Sequence, residues 1–111
     1  VTFSRWDVVA VNYPFLEGHE AKHRPGLIVS TERLHATHGL YVVAMITTAR
    51  AGVRKDDVQI SDWRKAGLPN PCVVRAARLV TMNEAMIGRR VGTLTSKDRN
   101  AVAALLKAFL L

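Results

Sequence analysis

One cysteine, four prolines and an aromatic content of 6% leave this 111-residue chain short of special-purpose residues, and each shortage excludes something. Cys72 has no second cysteine to pair with, so no internal disulfide supports the fold. It lies in the apolar run Cys72-Val73-Val74, where a thiol is expected to pack as a small hydrophobe rather than react. No apolar run approaches the roughly 20 residues that span a bilayer. Residues 1–7 lack the basic segment and apolar stretch of an export signal, so the cytoplasm is the expected compartment and no membrane is an expected partner. A phosphate-binding P-loop, a dinucleotide Gly-rich fingerprint, a Cys-x-x-Cys pair and a His-Glu-x-x-His motif are all missing, as are internal repeats and low-complexity tracts.

What is present is a balance of 49% hydrophobic and 23% charged residues, which suits a folded chain and not a disordered one. At this length one core is affordable and two are not, so residues 1–111 are expected to form a single domain. The net charge is +7, carried by 11 arginines and 5 lysines. Such a field attracts polyanions, and the planar guanidinium matches phosphate better than an ammonium does. A GC-rich genome would also raise arginine content, leaving a merely solvated surface. The charge is not a tail: residues 1–55 hold 7 basic and 4 acidic residues, and residues 56–111 hold 9 and 5. Any basic surface has to be assembled by folding.

The hydrophobic pattern predicts strands over residues 6–11, 26–30, 40–46, 57–60, 72–76, 78–82 and 89–91. The continuous apolar run at 40–46 marks a central strand. Pro14 should stop the first strand. Ser61 is placed to cap a short helix over residues 62–66, ended by Gly67 and Pro69. Thr95 or Ser96 should open a final helix, with Asp98 in its first turn. Val102, Leu105, Leu106 and Phe109 recur on the face expected to cover the sheet. The fold class that follows is mainly β (α+β): a small SH3-like barrel of five to seven strands with short helices and a C-terminal helix.

Chemistry-bearing residues are few. His19 and His23 are four apart, with Glu17 and Glu20 interleaved, a spacing that could hold zinc on a helix. Gly18 argues against the helix. His35 and His38 fall in a weakly patterned segment and read as solvated. Arg24 stands apart, because Pro25 restricts it to extended backbone and gives it a fixed direction at the mouth of the second strand. Thr47 and Thr48 close the central strand. By composition alone, Arg24 is an ordinary surface arginine and the threonines are ordinary strand-end residues.

Trp6-Asp7-Val8-Val9, Pro14-Phe15, Arg24-Pro25-Gly26-Leu27-Ile28-Val29-Ser30, Ala44-Met45-Ile46-Thr47, Ala66-Gly67-Leu68 before Pro71-Cys72-Val73-Val74-Arg75, and Ile87 through Gly92-Thr93-Leu94 follow one another in an order and spacing that resembles the MazF/PemK family of toxins from type II toxin-antitoxin systems. The resemblance runs from about residue 5 into the C-terminal helix. It implies a dimerising, barrel-like mRNA interferase that cuts single-stranded RNA without a metal or other cofactor and is neutralised by a cognate antitoxin. The family's arginine before proline falls on Arg24, and its threonine or serine at the central strand's end falls on Thr47, with Thr48 one residue away. Cys72 stands where members often have serine, a departure attributable to packing. The family's acidic or polar loop residues have no sure counterpart here.

Metal-free cleavage would run by attack of the 2'-hydroxyl on the adjacent phosphorus, giving a 2',3'-cyclic phosphate. Arg24 suits charge stabilisation at the phosphate and Thr47 can hold the scissile group. Arginine, with a pKa above about 12, is no general base, whereas histidine titrates near about 6.5. His23 is therefore the candidate proton carrier, with Glu17, His19 and Glu20 on the same loop. Base choice and phosphate contact are expected from residues 16–23 and 48–55, with Thr48, Arg50, Arg54 and Lys55 as RNA-binding residues. Two other readings use the same features: a gyrase-poisoning toxin without ribonuclease chemistry, and an SH3-like nucleic-acid-binding module.

Overall fold

The computed structural model describes residues 2–12 and 24–111. Among these residues are six strands, β1 (Asp7–Val11), β2 (Arg24–Ile28), β3 (Leu40–Thr48), β4 (Asp57–Gln59), β5 (Cys72–Asn83) and β6 (Ile87–Thr93), with helices α1 (Glu32–His38) and α2 (Ser96–Leu110). All strand pairs are antiparallel, in the order β4-β5-β3-β2-β1-β6. The central position expected of the 40–46 run is the one β3 occupies, between β5 and β2.

Apolar side chains line both faces, as period-2 alternation in a two-sided sheet requires. Val8, Leu27, Ala44, Ile46 and Val74 point to one core, completed by Ile60, Ala66, Leu68, Leu94 and Val102 of α2. Val9, Ile28 and Val43, their sequence neighbours, point to the other with Phe3, Tyr41, Met82 and Ile87.

The expected SH3-like barrel is not closed: among the described residues, edge strands β4 and β6 do not pair with each other. The bending that suggested a barrel does exist, in β5. Met45 pairs with Arg75 while its neighbour Ala44 pairs with Leu79, so residues 76–78 bulge out of the ladder. A bulge bends its strand and raises local twist. This explains why the sequence pattern splits here into two strands where the chain makes one kinked strand.

Residues 61–67 form consecutive turns, not the expected helix. Asp62, not Ser61, caps them, accepting a hydrogen bond from the Lys65 amide at 3.1 Å. Ser61 is used elsewhere: its amide and hydroxyl both donate to Asp98 Oδ2, at 2.9 and 3.0 Å, joined by the Thr95 hydroxyl at 3.2 Å. Asp98 thus ties the turn segment to the start of α2 as well as sitting where the helix dipole favours it. On α2, Val102 is fully buried and Leu105 and Leu106 are half-buried, but Phe109 is exposed and does not join the covering face.

Two glycines fix the turn segment against β6. A Cβ on Gly67 (φ +81°) would lie 2.0 Å from the Val91 carbonyl oxygen, and one on Gly92 would lie 2.3 Å from the Ala66 carbonyl. No other residue fits where two backbones meet this closely. The contact sets the path of the chain into residues 68–70, which wall the site described next.

No helix among the described residues is long and apolar enough to cross a membrane.

Candidate active site

β2 begins where β3 ends. Gly26 pairs with Met45 and Leu27 with Ala44, and continuing that register by two residues brings Arg24 level with Thr47. Both line a cavity of about 210 Å³ together with Pro25, Ile46, Thr48, Leu68, Pro69, Asn70 and Cys72. Arg24 is exposed, Thr47 half-buried and Thr48 exposed. The lining mixes apolar residues, Pro25, Ile46, Leu68 and Pro69, with polar ones, Arg24, Thr47, Thr48 and Asn70.

Among the described residues Arg24 takes part in no salt bridge. The rest of the basic set lies on the connection leaving β3. Arg50, Arg54 and Lys55 are all exposed in the segment between Thr48 and β4, beginning with a 3-10 turn at Ala49–Ala51. That segment is held from beneath. The Arg54 amide donates to Asp57 Oδ2 at 2.7 Å, and buried Arg75 donates from Nη2 to the Gly52 carbonyl at 3.1 Å.

Cys72 lines the same cavity but is 4% exposed, and its Sγ donates to the Asn70 carbonyl at 3.2 Å. Burial raises the thiol above its ordinary pKa, which keeps it protonated and disfavours nucleophilic chemistry. The packing role expected from its apolar neighbours is therefore the one the site allows.

Glu17, His19, Glu20 and His23 lie outside the described residues, as does the proposed zinc spacing built on them. His35 is half-buried, stacked on Tyr41 with ring centroids 4.7 Å apart and with Nε2 3.1 Å from Glu84 Oε2. It is a structural contact, not the solvated residue expected. Among the described residues no cluster of three His, Cys, Asp or Glu side chains could hold a metal ion.

Sequence reasoning did not place residues 68–70 or Arg75 at the site. Pro69 and Pro71 around Asn70 were a legible sign of a rigid wall, since two prolines fix φ on either side of one polar residue. Arg75 carried no such sign.

Comparison with known proteins identifies the family and the fold. The family model described as "PemK-like, MazF-like toxin of type II toxin-antitoxin system" matches residues 4–110, and the chain belongs to that family. The solved structure of "Mycobacterium tuberculosis toxin MazF-mt6" is 28% identical, with a TM-score of 0.72 over 95% of this chain and 97% of that one. The fold is shared also with MazF from Deinococcus radiodurans, at 20% identity, TM-score 0.77 and 99% and 97% coverage. A mycobacterial endoribonuclease solved in complex with its cognate antitoxin gives 22% identity, TM-score 0.75 and 98% and 95% coverage. No curated protein sequence matches the chain.

Proposed function

We propose that this toxin is a metal-independent, sequence-specific endoribonuclease that cleaves single-stranded RNA and is held inactive by a cognate antitoxin. The observation that carries the reading is the convergence of Arg24 and Thr47, from two strands separated in sequence, on one cavity beside an exposed basic loop. Membership of a toxin family fits it, as does the shared fold with a protein described as an endoribonuclease bound to its antitoxin.

In this reading the 2'-hydroxyl attacks the adjacent phosphorus as the bond to the 5'-oxygen breaks, leaving a 2',3'-cyclic phosphate and a 5'-hydroxyl. Negative charge gathers on the non-bridging oxygens, and Arg24 meets it with two parallel N–H donors. The Thr47 hydroxyl donates to a phosphate oxygen and fixes the angle of attack. His23 takes or delivers the proton that arginine cannot. Arg50, Arg54, Lys55 and Thr48 bind the flanking nucleotides, with Glu17, His19 and Glu20 contributing from the loop before β2. The active form is a homodimer with the curved sheet of the family barrel. The acidic, partly disordered segment of an antitoxin would occlude the same basic surface and lose its conformational freedom on binding.

Incubating the purified protein with a long unstructured RNA in EDTA tests the reading. Cleavage at a fixed sequence with cyclic-phosphate ends is the expected result. Binding without cleavage would instead favour a nucleic-acid-binding module, and a gyrase-dependent effect a gyrase poison.

A further inference from the structure

We infer that Arg75, paired with Asp57, is a positioning residue for RNA recognition: a buried clamp that fixes the loop bearing Arg50, Arg54 and Lys55 beside the Arg24 and Thr47 cavity. The inference rests on the reading of the protein as an RNA-cleaving toxin.

Arg75 lies in β5 with Met45 of β3 opposite it on one side and Asp57 of β4 opposite it on the other. It is 8% exposed, an unusual place for a guanidinium in a sheet otherwise filled with valine and isoleucine. Cross-strand partners share a face, so the Asp57, Arg75 and Met45 row stands one pleat behind the Gln59, Val73 and Thr47 row. Arg75 therefore lies diagonally from Thr47, on the adjacent strand and the same face of the sheet.

Its bonds go to the loop. Nη2 donates to the Gly52 carbonyl, and Nε stands 3.8 Å from Asp57 Oδ2. That carboxylate oxygen in turn accepts from the Arg54 amide. Gly52 and Arg54 are thus held by one buried ion pair. Gly52 (φ +94°) and Asp56 (φ +65°) flank Arg54 and Lys55 with positive-φ backbone, which at the non-glycine Asp56 is uncommon.

The geometry is poor for stability and good for placement. At 3.8 Å the pair is not hydrogen-bonded, and Arg75 Nε has no hydrogen-bond partner among the described residues. A buried ion pair of this kind stabilises no more than well-packed hydrophobic residues do. What an aliphatic residue could not supply is the tether to the Gly52 carbonyl. Arg50, Arg54 and Lys55, by contrast, are exposed and in no salt bridge among the described residues, so their direction depends on the backbone beneath them.

Arg75→Met and Asp57→Asn test the clamp, using an RNA oligomer with a mapped cleavage site and its analogue carrying 2'-deoxyribose at that site. For Arg75→Met the expected result is a rise of about tenfold in KM and in Kd for the analogue. It comes with kcat within about twofold of wild type and faster amide exchange at Gly52 and Arg54. Asn at position 57 keeps an acceptor for the Arg54 amide, so Asp57→Asn should move the same readouts by about threefold. Unchanged KM and Kd despite faster exchange overturn the inference, as does a fall in kcat with KM unmoved. If Arg75→Met does not fold, Asp57→Asn decides by the same criteria. Wild-type protein that neither binds nor cuts RNA overturns the functional reading and the clamp together, whereas an active wild type with indifferent variants overturns the clamp alone.

Discussion

Arg24 and Thr47 stand level on adjacent antiparallel strands, two residues beyond the Gly26 and Met45 pair, and face one cavity. Twenty-two intervening residues separate them in sequence, and the β2–β3 register alone brings them together. In the proposed reaction the guanidinium is the charge-stabilising donor. Arg24→Ala should lower the cleavage rate by about 100- to 1000-fold with an unaltered circular dichroism spectrum. Arg24→Lys should restore little, because a single ammonium cannot reproduce the two-pronged contact. Full activity in the alanine variant would remove Arg24 from the site.

Thr47 supplies a hydroxyl and a branched body, which two substitutions separate. Thr47→Val keeps the shape and should cost about 100-fold in kcat. Thr47→Ser keeps the hydroxyl and should stay within about tenfold of wild type. Equal activity of the valine variant and wild type would show that the side chain only packs.

His23 is proposed to carry the proton. His23→Gln should flatten the limb of the pH-rate profile that histidine produces near about pH 6.5. The assignment fails if the profiles of variant and wild type superimpose.

Cys72 gives a pH dependence of stability whose sign is set by burial. Its thiol is raised in the folded chain, so between the ordinary thiol value of about 9 and the higher folded value the folded state keeps a proton that the unfolded state has lost. The contribution is intact below about pH 9 and is lost as the pH rises above it. Urea midpoints of wild type should fall across that range, and Cys72→Ala should lack this component. Alkylation of the native protein should be slow and limited by opening of the fold. Rapid labelling at neutral pH would contradict the buried, protonated thiol.

Asp98 is 3% exposed and accepts from the Ser61 amide, the Ser61 hydroxyl and the Thr95 hydroxyl. Asp98→Ala leaves the amide without its acceptor and uncouples the turn segment from α2. The expected loss is about 3 kcal/mol in urea-monitored unfolding. Ser61→Ala, which keeps the amide bond to Asp98, should cost about 1 kcal/mol.

Much of this architecture was legible because it depends on local pattern. The apolar run at residues 40–46 marked β3 as central, and the alternation at residues 57–60 marked a half-exposed strand, since burial on two faces or one imposes those patterns directly. Arg24 and Thr47 were singled out by the resemblance to MazF/PemK toxins, since an arginine before a proline and a threonine at a strand's end are ordinary features on their own. The helix over residues 62–66 was misread because Ser61 looked like a cap, while its hydrogen bonds go to Asp98, 37 residues away. The split of β5 was misread because residues 76–78 bulge from the ladder while the strand continues on either side.

By itself the sequence determined the order of the strands along the chain, the central place of the 40–46 run and the pairing of an arginine with a proline at a strand entrance. These are set by the residues themselves and their immediate neighbours. Only the tertiary structure decided that Arg24 and Thr47 line one cavity, that residues 68–70 wall it, and that Arg75 is turned inward to hold Gly52. Each of these depends on strand register and on backbones in close approach, as at Gly67 and Gly92, which are fixed by packing between segments far apart in the chain.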